Sequence, residues 1–171
     1  MAVIFDLDQT LVDSQKFEFW RKKRDWSTIK SRISELKAYE KIDEVIKLLN
    51  NNNIKIAIVT KAPSNYCNAI INHFGWDIQI TVCYHDCHST QQKPHPAPML
   101  KAIKGLEADL NKIISIGDSD SDIQSSKAAG IYSIASLWGT LTKESLLKSE
   151  PHLVVDTVND LILFIKKKYS I

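Results

Sequence analysis

Short apolar runs alternate with amphipathic stretches along this chain. Val3-Ile4-Phe5, Ile54–Val59, Ile78–Val82, Lys112–Ile116 and Ile131–Ala135 are rich in β-branched residues and almost continuously apolar, and Leu153–Val155 is a shorter run of the same kind. Strands covered on both faces have this composition. Between them lie segments whose apolar residues recur at helical spacing. Lys41–Leu49 places Ile42, Val45, Ile46 and Leu49 on one face. Ser64–Phe74 follows Pro63 and stops at Gly75, and Pro96–Leu106, Asp120–Ala129 and Val158–Lys168 complete the set. Strand and helix taking turns predict an α/β fold, a Rossmann-like parallel sheet with helices on both faces and Leu153–Val155 as an edge strand.

Residues 14–40 break the rhythm. Phe17, Phe19, Trp20, Trp26, Ile29, Ile33 and Leu36 are spread there among many charges, which predicts one or two amphipathic helices inserted after the first strand. Most of these aromatics are expected to pack on the domain; the alternative is a small lid or a dimer surface. The whole chain, 1–171, then reads as a single domain with a short helical insertion at about 14–40.

Composition narrows the class. The 171 residues are 44% hydrophobic and 25% charged, with a formal net charge of +2. That charge is too small to argue for nucleic acid or a membrane surface, and no stretch has the ~20 apolar residues of a membrane span. Met1–Phe5 has no basic segment before it and acids follow at once, so it reads as a buried strand rather than an export signal. With three cysteines, an odd number, the simplest expectation is a reducing cytoplasm.

Ligands of parallel sheets sit at the carboxyl ends of the strands. Asp6 follows the first strand, Thr60 ends the second, Asp118 follows the fourth, and Lys93 lies in the loop after the third. Asp6 and Asp8, two apart in extended chain, can project to one side and make a strongly negative spot. Asp118 and Asp122 add carboxylates on the same rim, and an all-oxygen set suits a hard cation such as Mg²⁺. Asp120, opening a helix, reads as a cap. Thr60 and Lys93 supply a hydroxyl and an ammonium for phosphate oxygens.

The ordered set Asp6-Leu7-Asp8-Gln9-Thr10-Leu11-Val12-Asp13-Ser14, then Thr60, then Lys93-Pro94-His95-Pro96, then Gly117-Asp118-Ser119-Asp120-Ser121-Asp122 resembles the haloacid dehalogenase (HAD) superfamily, most closely its phosphoglycolate-phosphatase-like branch. The resemblance implies a HAD-like fold and an Mg²⁺-dependent phosphatase of phosphate monoesters. Asp6 is then the nucleophile forming an aspartyl-phosphate, and Asp8 the acid–base. Thr60 and Lys93 hold the phosphoryl group. The metal sits on Asp6, the backbone carbonyl of Asp8, and Asp118, with Asp122 close by. Dehalogenases of the family lack the second aspartate and its transport ATPases carry threonine there, so Asp8 points to a phosphatase or phosphomutase.

The chain departs from the family in three places. Relatives acting on small phosphometabolites carry a much larger helical cap where this chain has 14–40, so an open site is expected, with a small phosphorylated molecule as partner and a bulkier substrate or a lid from a partner subunit permitted. Lys61, after Thr60, is expected to point outward, with added charge at the phosphate as the alternative. Cys83-Tyr84-His85-Asp86-Cys87-His88 resembles a metal-ligand cluster, but zinc sites are usually built from two separated pairs, so irregular surface near Lys93 is the expectation. Three other readings remain in view: a phosphomutase or other phosphotransferase, a non-catalytic binding module, and a phosphatase of nucleic-acid ends. The last is motivated by Arg21-Lys22-Lys23-Arg24 between Trp20 and Trp26, a run that reads more simply as a solvated helix face.

Overall fold

Side chains of successive strand residues leave the backbone on opposite sides, and the first strand separates two cores in this way. The computed structural model describes residues 1–171. Its elements run β1 (Ala2–Phe5), β2 (Val12–Asp13), α1 (Glu18–Lys22), α2 (Trp26–Ser31), β3 (Lys37–Ala38), α3 (Ile42–Asn51), β4 (Lys55–Val59) and α4 (Ser64–Phe74). The second half continues with β5 (Ile80–Val82), α5 (Ala97–Leu106), β6 (Ile113–Gly117), α6 (Asp120–Ala128), β7 (Tyr132–Ser136), α7 (Lys143–Lys148), β8 (Leu153–Val155) and α8 (Val158–Tyr169). In β1, Val3 and Phe5 enter the larger core with the apolar faces of α3, α4 and α8, whereas Ala2 and Ile4 enter a smaller core with Met99, Ala102 and Leu106 of α5. Each such Ile, Val or Leu, fully buried, contributes roughly 1.5–3 kcal/mol of transfer free energy.

The six-stranded sheet has the order β5-β4-β1-β6-β7-β8, and every pair in it is parallel. From β1 the chain moves outward through β4 and β5, then returns to the other side of β1 and moves away through β6, β7 and β8. The direction therefore reverses between β1 and β6, and parallel sheets open a crevice at the carboxyl ends of such strands. Asp6 and Asp118 stand on the two sides of that crevice, and the Asp6 amide donates to the Ile116 carbonyl at 2.9 Å.

Two features were not expected from the pattern. β2 and β3 form an antiparallel pair, Val12 opposite Ala38 and Asp13 opposite Lys37. At two residues each, they are too short to show a period. α7 is a six-residue helix that buries Leu146. β5 also begins later than predicted, because the Gln79 side chain takes the Ile56 amide at 2.6 Å in place of a strand neighbour.

Residues 14–40 lie on the domain. Phe17, Ile29 and Leu36 are buried, and Trp20, Trp26 and Ile33 pack against the larger core. Phe19 is the exception, 60% exposed, with the Lys23 ammonium 4.2 Å from its ring centre. No helix is long and apolar enough to cross a membrane.

Candidate active site

The predicted residues Asp6, Asp8, Thr60, Lys93, Asp118 and Asp122 all line one cleft of about 210 Å³ at the carboxyl rim of the sheet. Lys93 is the hub. The residue is 4% exposed, and its ammonium donates to Asp6 Oδ1 at 2.6 Å, to the Val59 carbonyl at 2.8 Å and to Asp122 Oδ1 at 2.5 Å. Burial opposes the charge on Lys93, but the carboxylates of Asp122 and Asp6 outweigh it and hold the ammonium above the ordinary lysine range. Its three donors are thereby all used.

Asp122 reaches the hub through the start of α6. Ser119 and Asp122 form a capping box, in which the Ser119 amide donates to Asp122 Oδ2 at 3.1 Å, leaving the other oxygen for Lys93. Gly117 makes this approach possible: a Cβ there would lie 2.4 Å from the Asp122 Cβ. Asp120 is not the cap that its place at the helix start suggested: Ser119 caps α6, and Asp120, its first residue, accepts the Ser121 amide at 2.8 Å. Asp118 is held by the Thr10 hydroxyl, which donates to its Oδ1 at 3.0 Å. Thr60 is buried, and its hydroxyl accepts the Ala62 amide at 3.1 Å.

Ligand oxygens of Asp6, Asp118 and Asp122 lie within 4.8 Å of one another. Burial, opposed by Lys93 and reinforced by Asp122, pushes the Asp6 carboxyl up to about 7. Burial, with the charges of Asp6 and Asp122, pushes Asp118 up to about 8. Carboxylates crowded and desolvated in this way favour a bound cation, and an oxygen-only trio matches the ligand preference of Mg²⁺. The Asp8 side chain stands outside this trio, so any part for Asp8 in holding a metal falls to its backbone carbonyl. No comparable convergence occurs along Cys83–His88; Cys83 is buried in the larger core, and the Asp86 carboxylate accepts the Cys83 amide at 2.7 Å.

Asp8 is held instead by two residues that the sequence did not single out. The Tyr66 hydroxyl donates to Asp8 Oδ1 at 2.7 Å, and Arg21 Nη2 reaches Asp8 Oδ2 at 3.1 Å. Burial and the Asp8 charge push the Tyr66 phenol above its ordinary range, so it stays a donor. Burial works against the Arg21 charge, and the surrounding negative groups, Asp8 foremost, together more than offset it. The solvated-face reading of Arg21–Arg24 is therefore corrected for Arg21, because α1 turns it inward to Asp8 and to the Ser14 hydroxyl at 3.0 Å. Lys61 is exposed, as the outward reading has it, but it is not idle in solvent: its ammonium donates to Ser121 Oγ at 3.0 Å and lines the cleft. Tyr66 falls on the apolar face of α4, so its sequence context announces only core, and Arg21 is hidden within a charged run.

A family model described as haloacid dehalogenase-like hydrolase matches residues 15–136. The chain belongs to this family. Asp6 and Asp8 lie just ahead of the matched span. A phosphoglycolate phosphatase from Colwellia psychrerythraea is 30% identical over 129 residues, 75% of this chain and 57% of the relative. The chain thus spans little more than half the length of that curated relative. Among solved structures, a hydrolase from Pseudomonas syringae superposes with a TM-score of 0.79 at 18% identity, covering 97% of this chain and 98% of that one. A β-phosphoglucomutase from Clostridium difficile gives 0.77 at 23% identity, covering 99% and 96%. At these identities the structural likeness concerns the fold.

Proposed function

We propose that this HAD family member is an Mg²⁺-dependent phosphatase that hydrolyses phosphate monoesters of small molecules through an aspartyl-phosphate on Asp6. The observation that carries the reading is the buried meeting of Asp6 with the Lys93 ammonium and the carboxylates of Asp118 and Asp122, at the crevice between β1 and β6. The name borne by the Colwellia relative supports a small phosphoester.

In this reading an Asp6 carboxylate oxygen attacks phosphorus and the bond to the leaving oxygen breaks. The Asp8 carboxylic acid gives that oxygen its proton. Water then attacks the phosphorus of the acyl phosphate, Asp8 takes the proton, and inorganic phosphate leaves with the Asp6 carboxylate restored. Each Asp8 oxygen keeps a lone pair beyond its contact with Tyr66 or Arg21, so the carboxyl can exchange a proton while held. Thr60 would donate to a non-bridging phosphoryl oxygen, and Lys93 would do so by turning toward it the donor that now meets Asp6. Asp6, Asp118, Asp122 and the Asp8 backbone carbonyl would hold Mg²⁺, which supplies the positive charge that offsets repulsion between Asp6 and the anionic phosphoryl group. The two short helices α1 and α2 serve as a reduced cap, with Arg21 their contribution to the cleft.

The test is hydrolysis of p-nitrophenyl phosphate and a panel of phosphate esters by the wild type and by Asp6→Asn, with Mg²⁺ and with chelator. Mg²⁺-dependent turnover that disappears in Asp6→Asn is expected. Turnover that survives the substitution would remove Asp6 as nucleophile, and no turnover of any ester by folded protein would remove the phosphatase reading.

A further inference from the structure

Gln9, the residue after Asp8, holds a backbone conformation that side-chain-bearing residues seldom adopt. Its φ is +65°, in the left-handed region that glycine enters without penalty and a glutamine enters under strain. The turn around it does not call for a glutamine. The Gln9 amide donates to the Val12 carbonyl at 2.8 Å and the Leu11 amide to the Leu7 carbonyl at 2.9 Å, bonds that any residue with a backbone N–H can make. Backbone strain persists where the surroundings over-determine it, and such places cluster at functional sites. The Gln9 side chain is buried and lines the catalytic cleft.

Three segments close on this side chain and its backbone. Tyr39, in the turn between β3 and α3, donates its hydroxyl to Gln9 Oε1 at 2.6 Å. Burial, with the charges of Asp13 and Asp118, pushes the Tyr39 phenol above its ordinary range, so it stays a donor. The loop after β7 closes on the same pair. A Cβ at Gly139 would collide with both the Gln9 carbonyl oxygen and the Tyr39 hydroxyl, and Trp138 Nε1 donates to the Thr10 carbonyl at 2.9 Å. From the insertion, the buried Ser14 hydroxyl comes within 3.5 Å of Gln9 Nε2 and accepts from Arg21 Nη1 at 3.0 Å. Arg21 Nη2 in turn meets Asp8 Oδ2 at 3.1 Å. Gln9 therefore reaches Asp8 by two routes, the peptide bond they share and the path through Ser14 and Arg21.

We infer that Gln9 is a positioning residue of the phosphatase reaction, tying Asp8 to Tyr39 so that the Asp8 carboxyl is held toward the leaving oxygen. The inference rests on the phosphatase reading for the acid–base part given to Asp8. A glycine at this position relaxes the backbone and releases Asp8 in a single change. An alkoxide needs a proton as it leaves, whereas p-nitrophenolate is a stable anion that needs little help. Misplacing Asp8 therefore penalises alkyl esters more than the aryl ester, and a general loss of structure penalises both alike. The effect belongs to kcat/KM, which counts only the steps up to departure of the leaving group.

The deciding experiment compares kcat/KM for p-nitrophenyl phosphate and for the fastest alkyl phosphate of the ester panel, with Mg²⁺, in the wild type, Gln9→Gly, Tyr39→Phe and the double variant. General acid–base catalysis contributes about 10²–10⁴-fold, so Gln9→Gly is expected to lower the alkyl value about tenfold or more beyond any change in the aryl value. Tyr39→Phe, which keeps the ring, should act in the same direction to a smaller degree. The double variant should match Gln9→Gly, since both changes remove one contact. Equal loss for the two esters, no loss for either, or independent and additive effects of the two substitutions would overturn the inference and leave Gln9 a turn residue. Wild-type turnover that requires Asp6 upholds the phosphatase reading whichever way Gln9 behaves, so these outcomes remove the positioning role alone. A wild type that turns over neither ester removes that reading, and the positioning role with it.

Discussion

Asp8 is the residue whose chemistry depends most on neighbours far away in sequence. Tyr66 is 58 positions distant, yet its hydroxyl lies 2.7 Å from Asp8 Oδ1, and the ring is fully buried so the donor cannot turn away. Removing the hydroxyl while keeping the ring isolates this contact. Hydrogen bonds to charged groups contribute about 1.5–3 kcal/mol, so Tyr66→Phe is expected to lower kcat about tenfold to a hundredfold with KM little changed. Steady-state kinetics on p-nitrophenyl phosphate checks it, and an unchanged kcat would mean that Asp8 is oriented without Tyr66. Asp6, Thr60 and Asp118 were legible in the sequence because they fall at strand ends, and Asp8, Lys93 and Asp122 because they belong to the ordered motifs around them. Tyr66, Arg21 and Thr10 were not, because each acts through a contact that only the fold creates. Tyr66 looks like core, Arg21 like surface, and the Thr10 hydroxyl finds Asp118 across 108 residues.

At the scale of elements, the six sheet strands were legible because burial on both faces leaves a run of β-branched residues that a helix or loop does not need. The pair β2–β3 and the helix α7 carry too few residues for a period, and their placement depends on contacts such as the Tyr39 amide to the Leu11 carbonyl at 3.1 Å. The junction of β6 and α6 shows how closely element geometry and chemistry are joined. Gly117 lets the first turn of α6 come near enough for Asp122 to cap the helix with one oxygen and hold Lys93 with the other. A methyl group at 117 forces apart two positions that the backbone fixes, not the tip of a flexible side chain. Gly117→Ala should therefore cost about 1–3 kcal/mol as an overpacking change and should lower kcat as Asp122 withdraws from Lys93. Gly75, which ends α4 at φ +66° with open space around its Cβ position, is the control. Gly75→Ala should cost about 1–2 kcal/mol through backbone strain alone, with kcat retained. Denaturant unfolding and kinetics on the two variants separate the cases, and equal kcat values would refute the role given to the Gly117 approach.

The whole molecule keeps a cluster of desolvated carboxylates at one end of its sheet, and this makes its stability depend on pH. In an unfolded chain Asp6 and Asp118 ionise near pH 4. In the folded, metal-free protein burial moves them up to about 7 and about 8. Between about pH 4 and pH 8 the folded state therefore binds more protons than the unfolded one, and stability must fall as pH rises through that window. Lys93 does not cancel this slope, because its ammonium is held above the ordinary lysine range and stays charged throughout. Mg²⁺ competes with those same protons, so its stabilising effect should grow with pH. Thermal unfolding in chelator is expected to give a lower midpoint at about pH 8.5 than at about pH 5, with Mg²⁺ raising the midpoint more at the higher pH. Asp118→Asn keeps the side-chain volume and removes one of the two titrating groups, so both the pH slope and the Mg²⁺ increment should shrink. A midpoint that rises with pH in chelator, or an Mg²⁺ increment equal at the two pH values, would show that burial does not hold protons on Asp6 and Asp118 and that Mg²⁺ does not displace them.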